Sequence, residues 1–132
     1  MRVPVKEIAL RTIELEARSI AGLSSYINED FERAVEALKE CGGRIVISGI
    51  GKSAVIAQKI VATFNSTGTP SIFMHAADAI HGDLGMVQQN DVVIIISKSG
   101  ESPEIKLLLP LIRNFGNTII AMTGNMGSFL AQ

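Results

Sequence analysis

Apolar residues recur at helical spacing along the first part of the chain. From about residue 6 to residue 26 they include Ile8, Ile13 and Ile20, set among charged residues, which predicts an amphipathic helix. A second pattern of this kind, over about residues 30–40, ends at a Gly-Gly pair that is a typical helix stop. Because the first helix is long for so small a chain, we expect part of its apolar stripe to pack on another subunit, in a homo-oligomer that is a dimer or a tetramer.

After residue 43 the pattern changes to short apolar runs separated by helical stretches, which is typical of right-handed βα units around a parallel sheet. The pattern predicts an α/β fold: a three-layer αβα sandwich with a parallel sheet of the flavodoxin or Rossmann type, preceded by N-terminal helices. We expect one domain over residues 1–132, with helices over 1–43 and a βα part over 44–132 that is incomplete at its C-terminus. The predicted strands lie at 44–48, 71–74, 91–97 and 118–123, and the predicted helices between them near 53–65 and 103–114.

Composition narrows the class of protein. The 132 residues are 47% hydrophobic, enough for one buried core, and the 12 basic and 13 acidic residues give a net charge of −1. We therefore expect no nucleic-acid partner and no membrane partner, and the longest apolar runs fall far short of the ~20 residues of a membrane span. The single cysteine, Cys41, and the lack of a signal-like N-terminus predict a cytoplasmic protein.

The third predicted strand leads into a polar turn that is typical of phosphate binding. It reads Ser-Lys-Ser-Gly-Glu-Ser over residues 97–102, here named the cup loop, and a helix is predicted to begin near Pro103. Such a turn offers unpaired backbone N–H groups, a helix dipole and three hydroxyls to a phosphate dianion. An ordinary polar turn with Ser102 as a helix cap fits the same residues, and Glu104 fits a carboxylate that only complements the helix dipole.

A glycine-rich loop, SGIGKS, follows the first predicted strand. It is not a Walker loop, which needs a glycine where this chain has Val46, and a dinucleotide fingerprint expects an acid where His75 ends the next strand. Gly51 permits a tight turn, Ser53 can donate a hydrogen bond to an anion, and Lys52 supplies a cation at the mouth of the next helix. An ordinary solvated lysine is the alternative for Lys52.

Both histidines lie after the second predicted strand, in the segment HAADAIHGDLGM. His75, His81 and Asp83 are candidate ligands for a divalent metal, although their spacing is not a recognised metal motif. His75 also suits a structural, hydrogen-bonded position. His81 precedes a glycine-containing turn that can aim its imidazole into a cleft, which favours a polar or acid–base role.

Taken together, the segments GIGKS, STGTPS, HGDLGM and SKSGESPE resemble, in this order, the sugar isomerase (SIS) domain and specifically the arabinose 5-phosphate isomerase family of bacteria. The resemblance covers residues 44–124. It implies an aldose–ketose isomerase that interconverts D-ribulose 5-phosphate and D-arabinose 5-phosphate through an enediol, in the supply of sugar for Kdo, capsule or lipopolysaccharide. No cofactor is required for such a proton transfer, and the resemblance adds a candidate zinc contact at His81.

The resemblance also assigns roles to individual residues. The catalytic residues that it implies are Lys52, Glu104 and His81, with Glu104 as the base. The phosphate- and substrate-binding residues are Ser53, Ser97, Ser99, Ser102, Gly51 and His75.

Some positions depart from the family pattern. Lys98 stands where family members often carry a small polar residue, and it adds positive charge at the cup loop. The second glutamate and the C-terminal histidine of the family, like its tandem CBS domains, fall beyond residue 132, so we expect activity to need a longer chain. Two alternatives stay open: a non-catalytic phosphosugar-binding regulatory module, or an isomerase of another sugar phosphate.

Overall fold

The computed structural model describes residues 3–132, and its centre is a four-stranded parallel sheet with the strand order β2-β1-β3-β4. The central pair is in register with Ile47 opposite Ile94 and Ser48 opposite Ile95. The parallel sheet and its four strands confirm the prediction to within about two residues at each end. The strands are β1 (Ile45–Gly49), β2 (Ser71–His75), β3 (Val92–Ser97) and β4 (Thr118–Thr123).

The helices follow the predicted order along the chain. The first predicted helix ends at Gly22 and continues as a 3₁₀ turn to Tyr26, and the last helix runs through Pro110 without a break. A short helix between His75 and His81 and a 3₁₀ turn at Asp83–Met86 fill the segment with the two histidines. The α-helices are α1 (Val5–Gly22), α2 (Glu29–Lys39), α3 (Lys52–Ser66), α4 (Ala76–Ala79) and α5 (Pro103–Phe115).

The chain divides into two compact units, of which the first ends at Glu36 and the second runs from Ala37 to Gln132. In the first unit, Asn28 caps α2, because its Oδ1 accepts hydrogen bonds from the N–H groups of Asp30 and Phe31. The boundary between the two units lies inside α2, and Leu38 in the last turn of α2 packs with the sheet.

Helices cover both faces of the sheet in the second unit, which gives the predicted three-layer arrangement. On one face Val46, Val93 and Ile95 pack with the buried side of α5. On the other face Ile47 and Ile94 pack with α3. Because the central strands β1 and β3 are buried on both faces, they read in the sequence as continuous apolar runs rather than as alternating ones. No helix in the described part of the chain, residues 3–132, is long and apolar enough to cross a membrane.

An ion pair with a buried carboxylate links the amino-terminal ends of the central strands β1 and β3. The Asp91 carboxylate lies 3.0 Å from Arg44 Nη2 and accepts hydrogen bonds from the N–H groups of Arg44 and Gln88, each at 2.8 Å. Burial raises the pKa of Asp91, but these hydrogen bonds outweigh it and hold the pKa below its usual 3.8.

Candidate functional site

The carboxyl ends of β1 and β3 lie side by side at the point where the chain reverses direction across the sheet. From β1 the chain continues into α3 on one face, and from β3 it continues into α5 on the other face. Open parallel sheets bind their ligands in the crevice at such a switch point. The two loops that leave β1 and β3 therefore define the candidate site.

Glycine brings the first of these loops close to the sheet. A Cβ on Gly49 would lie 3.0 Å from the carbonyl carbon of Ser53 and 3.2 Å from the nitrogen of Ala54, so a larger residue would push α3 away from β1. Gly51, which precedes α3, has a φ of 61°, a conformation that favours glycine. Ser53 is thereby held in the first turn of α3, at the edge of the crevice.

The two loops border an open cavity of about 400 Å³. The four serines predicted to bind phosphate line it together, and they come from both loops. Its lining residues are Ile50, Ser53, Ile96, Ser97, Lys98, Ser99, Ser102 and Gly124.

The cup loop is held by hydrogen bonds from its own backbone. The buried Ser97 accepts one from Gly100 N–H at 3.0 Å, and Ser99 accepts one from Glu101 N–H at 3.2 Å, both at their Oγ atoms. The expected unpaired N–H groups are therefore not free at these two positions. The hydroxyl hydrogens of both serines remain able to donate to an anion, because in these bonds each oxygen acts only as an acceptor.

Ser102 leaves its hydroxyl available at the start of α5. It occupies the N-cap position and makes no side-chain capping hydrogen bond, and Pro103 follows at the first helical position. Ser102 thus takes the N-cap position that the polar-turn interpretation expects, but without the side-chain hydrogen bond of an ordinary cap. An N-cap hydroxyl without a backbone partner, beside the positive end of a helix dipole, can donate to a bound phosphate.

The three residues expected to be catalytic are not among those that line this cavity. Lys52 is the exposed first residue of α3, and Glu104 lies in the first turn of α5, two positions beyond Ser102. His81 is exposed in the turn after α4. The geometry does not test their catalytic roles, which stay predictions.

His75 and Gly51 occupy structural positions. The Nδ1 atom of His75 accepts a hydrogen bond from Ala77 N–H at 3.2 Å and so caps α4, and its ring lies edge-on to Phe73. Gly51 shapes the turn into α3 and is absent from the cavity lining. Among residues 3–132, no three His, Cys, Asp or Glu side chains come together to hold a metal ion, so His75, His81 and Asp83 do not form a metal site by themselves.

Three lining residues were not candidates on the sequence alone. Gly124 follows β4, and its N–H donates to the carbonyl oxygen of Lys98 at 3.0 Å, which joins the end of β4 to the cup loop. Its position directly after a predicted strand was the signal that could have found it. Ile50 and Ile96 carry no chemical signal, because apolar lining residues look like core residues in a sequence.

Comparison with known families gives one match, to the SIS domain, over residues 37–132. The chain is 46% identical over 131 residues to a probable arabinose 5-phosphate isomerase of Haemophilus influenzae, covering 99% of this chain and 39% of that protein. It is 50% identical over 124 residues to the arabinose 5-phosphate isomerase KdsD of Pseudomonas aeruginosa, covering 94% of this chain and 38% of that protein. The chain thus spans about two fifths of the length of these curated relatives.

A solved structure of an E. coli CFT073 protein, described as in complex with arabinose 5-phosphate, superposes with a TM-score of 0.89 at 41% identity. The match covers 98% of this chain and 70% of that one. A phosphosugar isomerase of Bacteroides fragilis, described as putative and as involved in capsule formation, superposes with a TM-score of 0.81 at 39% identity, covering 93% of this chain and 68% of that one. The order of strands and helices described above is therefore shared with proteins of this family.

Proposed function

The chain belongs to the SIS domain family, and from this we propose that it is the phosphosugar-binding part of an aldose–ketose isomerase. The proposed reaction interconverts D-arabinose 5-phosphate and D-ribulose 5-phosphate. Relatives at 46% and 50% identity carry the name arabinose 5-phosphate isomerase, and a structural neighbour is described with that sugar phosphate bound. These names describe the relatives, and they support the same activity for the full protein that contains this chain.

One observation carries the proposal: Ser53, Ser97, Ser99 and Ser102 line a single cavity at the β1/β3 switch point. Hydroxyl donors at the starts of two helices suit a dianion, because each helix adds the positive end of its dipole. Lys98 is the one charged residue of the lining, and its sign also suits a phosphate. A cavity of about 400 Å³ is large enough for a pentose phosphate.

The proposed chemistry moves one proton between neighbouring carbons. In the aldose-to-ketose direction, Glu104 removes the proton from C2 while an acid protonates the carbonyl oxygen at C1, which gives an enediol. The base then returns a proton to C1, and the C2 hydroxyl loses its proton to become the ketone. Atoms and electrons balance without an oxidant or a reductant.

Binding energy at the phosphate would position the reacting carbons. The phosphate lies at C5, remote from C1 and C2, so contacts to it can be used to align the sugar with the base. Glu104 lies two residues beyond the phosphate-binding Ser102, and Lys52 directly precedes Ser53. This adjacency supports Glu104 as the base and Lys52 as the cation that stabilises the developing oxyanion.

His81 completes the proposed set by orienting the sugar hydroxyls, which fits its exposed position in a glycine-flanked turn. We keep zinc at His81 as a proposal only for the longer chain, because the described residues supply no third ligand. A bound zinc ion would polarise a substrate oxygen. No step of the proposed proton transfer depends on it.

We also propose an oligomeric state, a cellular location and a metabolic role, each from a different observation. The exposed apolar residues of α1, none of which is buried, support a homo-oligomer, either a dimer or a tetramer. The single cysteine supports a cytoplasmic location. A role in Kdo, capsule or lipopolysaccharide sugar supply rests on the family resemblance alone.

The test uses the longest natural chain that contains this sequence. It is incubated with D-arabinose 5-phosphate in deuterated water, and NMR follows the formation of D-ribulose 5-phosphate and the uptake of deuterium at C1 and C2. Glu104→Gln should lower kcat by ~10³-fold or more with little change in KM, as expected for the loss of a general base. Glu36→Gln, an exposed carboxylate in α2, is the matched control and should keep full activity.

Three results would contradict parts of this proposal. Full activity in Glu104→Gln would remove Glu104 as the base. Tight phosphosugar binding without any turnover would favour a regulatory module. Turnover of a hexulose 6-phosphate in preference to the two pentose phosphates would identify another sugar-phosphate isomerase.

A further inference from the structure

Two residues of the cup loop do not line the cavity and instead contact the segment after β4. The carbonyl oxygen of Gly100 accepts a hydrogen bond from Leu130 N–H at 3.1 Å. Gly100 is buried, and a Cβ added to it would lie only 2.5 Å from the Cβ of Ser128. Residues 128–130, here named the support segment, therefore pack directly against the cup loop.

Glu101 joins the support segment to α5 through both oxygens of its carboxylate. Oε1 accepts a hydrogen bond from Phe129 N–H at 2.7 Å, and Oε2 lies 2.6 Å from Lys106 Nζ in the first turns of α5. The same Lys106 Nζ lies 6.0 Å from the centre of the Phe129 ring, within the range of a cation–π contact. The ion pair with Lys106 and the hydrogen bond from Phe129 hold the pKa of Glu101 below its usual value.

We propose that Glu101 is a positioning residue for phosphate binding, which fixes the cup loop by tying the support segment to the start of α5. The inference rests on the proposed function for the identity of the ligand. It assigns Glu101 no contact with substrate, since both carboxylate oxygens already have partners. Its effect is exerted through the serines on the other side of the loop.

The loop needs such support for a physical reason. Gly100 has a φ of 66°, and glycine has little intrinsic preference for this conformation over others. Lys98 and Ser99, which precede it, are exposed. Without external contacts the serine hydroxyls would sample several orientations, and binding phosphate would have to order them at an entropic cost. A loop that is already held in place avoids that cost.

Glu101 and Glu104 should therefore differ in which kinetic constant they control. Loss of the base Glu104 affects kcat, whereas loss of the positioning residue Glu101 affects the affinity for every phosphate ligand. Inorganic phosphate has no reacting carbons, so its affinity reports on the cup loop alone. This separates the inference from the isomerase proposal.

The experiment compares Glu101→Ala, Glu101→Gln and Lys106→Met in the longest natural chain, with Lys59→Met on α3 as a charge-matched control. The readouts are KM and kcat for the sugar phosphate and the dissociation constant of inorganic phosphate. Glu101→Ala should raise both KM and the dissociation constant of phosphate by about tenfold, the equivalent of one lost charge-assisted hydrogen bond. Its kcat should stay within about threefold of the wild-type value.

Glu101→Gln keeps an acceptor for Phe129 N–H and should retain most of the phosphate affinity. Lys106→Met should lose about two- to threefold, because it removes the exposed ion pair and the cation–π contact but keeps the Glu101–Phe129 hydrogen bond. Unchanged phosphate affinity in Glu101→Ala would overturn the inference, and so would a loss confined to kcat. If Glu101→Ala weakens phosphate binding in a chain that converts no sugar, the inference stands and the isomerase proposal is overturned.

Discussion

Ser97 Oγ accepts a hydrogen bond from Gly100 N–H at 3.0 Å, in a position that is 4% exposed. The hydroxyl proposed to donate to a phosphate thus also closes the turn that shapes the cup loop. Ser102, at the other end of the same loop, makes no such side-chain bond to the helix that it begins. The two serines should therefore respond differently to the loss of their hydroxyls.

The first prediction concerns these two serines. Ser97→Ala should weaken phosphosugar binding by about tenfold and also lower the free energy of unfolding by about 1 kcal/mol, because Gly100 N–H loses its buried acceptor. Ser102→Ala should weaken binding to a similar extent with a change in unfolding free energy below about 0.5 kcal/mol. Urea denaturation and titration with the sugar phosphate check both quantities. Equal stability losses in the two variants would contradict the assignment.

The second prediction concerns the close packing of Gly100 on Ser128. Gly100→Ala should destabilise the protein by more than about 2 kcal/mol for two reasons. Alanine would have to adopt the left-handed conformation of Gly100, and its Cβ would collide with Ser128. Adding Ser128→Gly should recover the part due to the collision and leave the backbone cost of about 1–2 kcal/mol. Chemical denaturation of the single and double variants measures this. No recovery in the double variant would show that the contact is not the cause.

The third prediction concerns pH. The folded pKa of Asp91 is lower than its usual 3.8, so the ionised carboxylate stabilises the fold above that pH, and this stability is lost as the pH falls through the folded pKa. Asp91→Asn should flatten the fall in unfolding free energy below about pH 4, and it should destabilise the protein at neutral pH by about 1–2 kcal/mol, because the partly exposed Arg44 loses its charged partner. Denaturation curves from neutral to strongly acidic pH test this. An unchanged acid limb in the variant would contradict it.

Much of the fold could be predicted from the sequence, because strands buried on both faces leave continuous apolar runs such as Val92 to Ile96. The cluster of serines was also predictable, since each follows a strand and carboxyl ends of parallel strands share one edge. The roles of Gly100 and Glu101 were not. They depend on the support segment, and the contact that joins Glu101 to Phe129 spans residues far apart in the chain.

The start of α2 also depends on a contact that the sequence pattern does not show. The sequence pattern predicts a start near Asp30, whereas the structure begins the helix at Glu29 with Asn28 as its cap. A cap is decided by a side-chain hydrogen bond that apolar periodicity does not register. His75 was likewise assigned to substrate, and the structure gives its Nδ1 a capping bond from Ala77 N–H.

The fourth prediction concerns α1. Ile13 and Ile20 are 62% and 69% exposed, and the other apolar residues of α1 are also unburied. Ile13→Lys combined with Ile20→Lys should reduce the molar mass measured by light scattering, because burying each isoleucine contributes about 1.5–3 kcal/mol to association. Glu14→Lys, on the same helix, is the control and should keep the wild-type mass. An unchanged mass in the double variant would contradict an interface on α1.

The loops after β1 and β3 are proposed to bind a sugar through its phosphate. The most direct measurement compares D-arabinose 5-phosphate with D-arabinose by NMR titration of the isotopically labelled natural chain. We expect binding of the phosphorylated sugar alone, with the largest amide shifts at residues 50–53 and 97–102. Equal binding of both sugars, or shifts confined to other parts of the sheet, would contradict it.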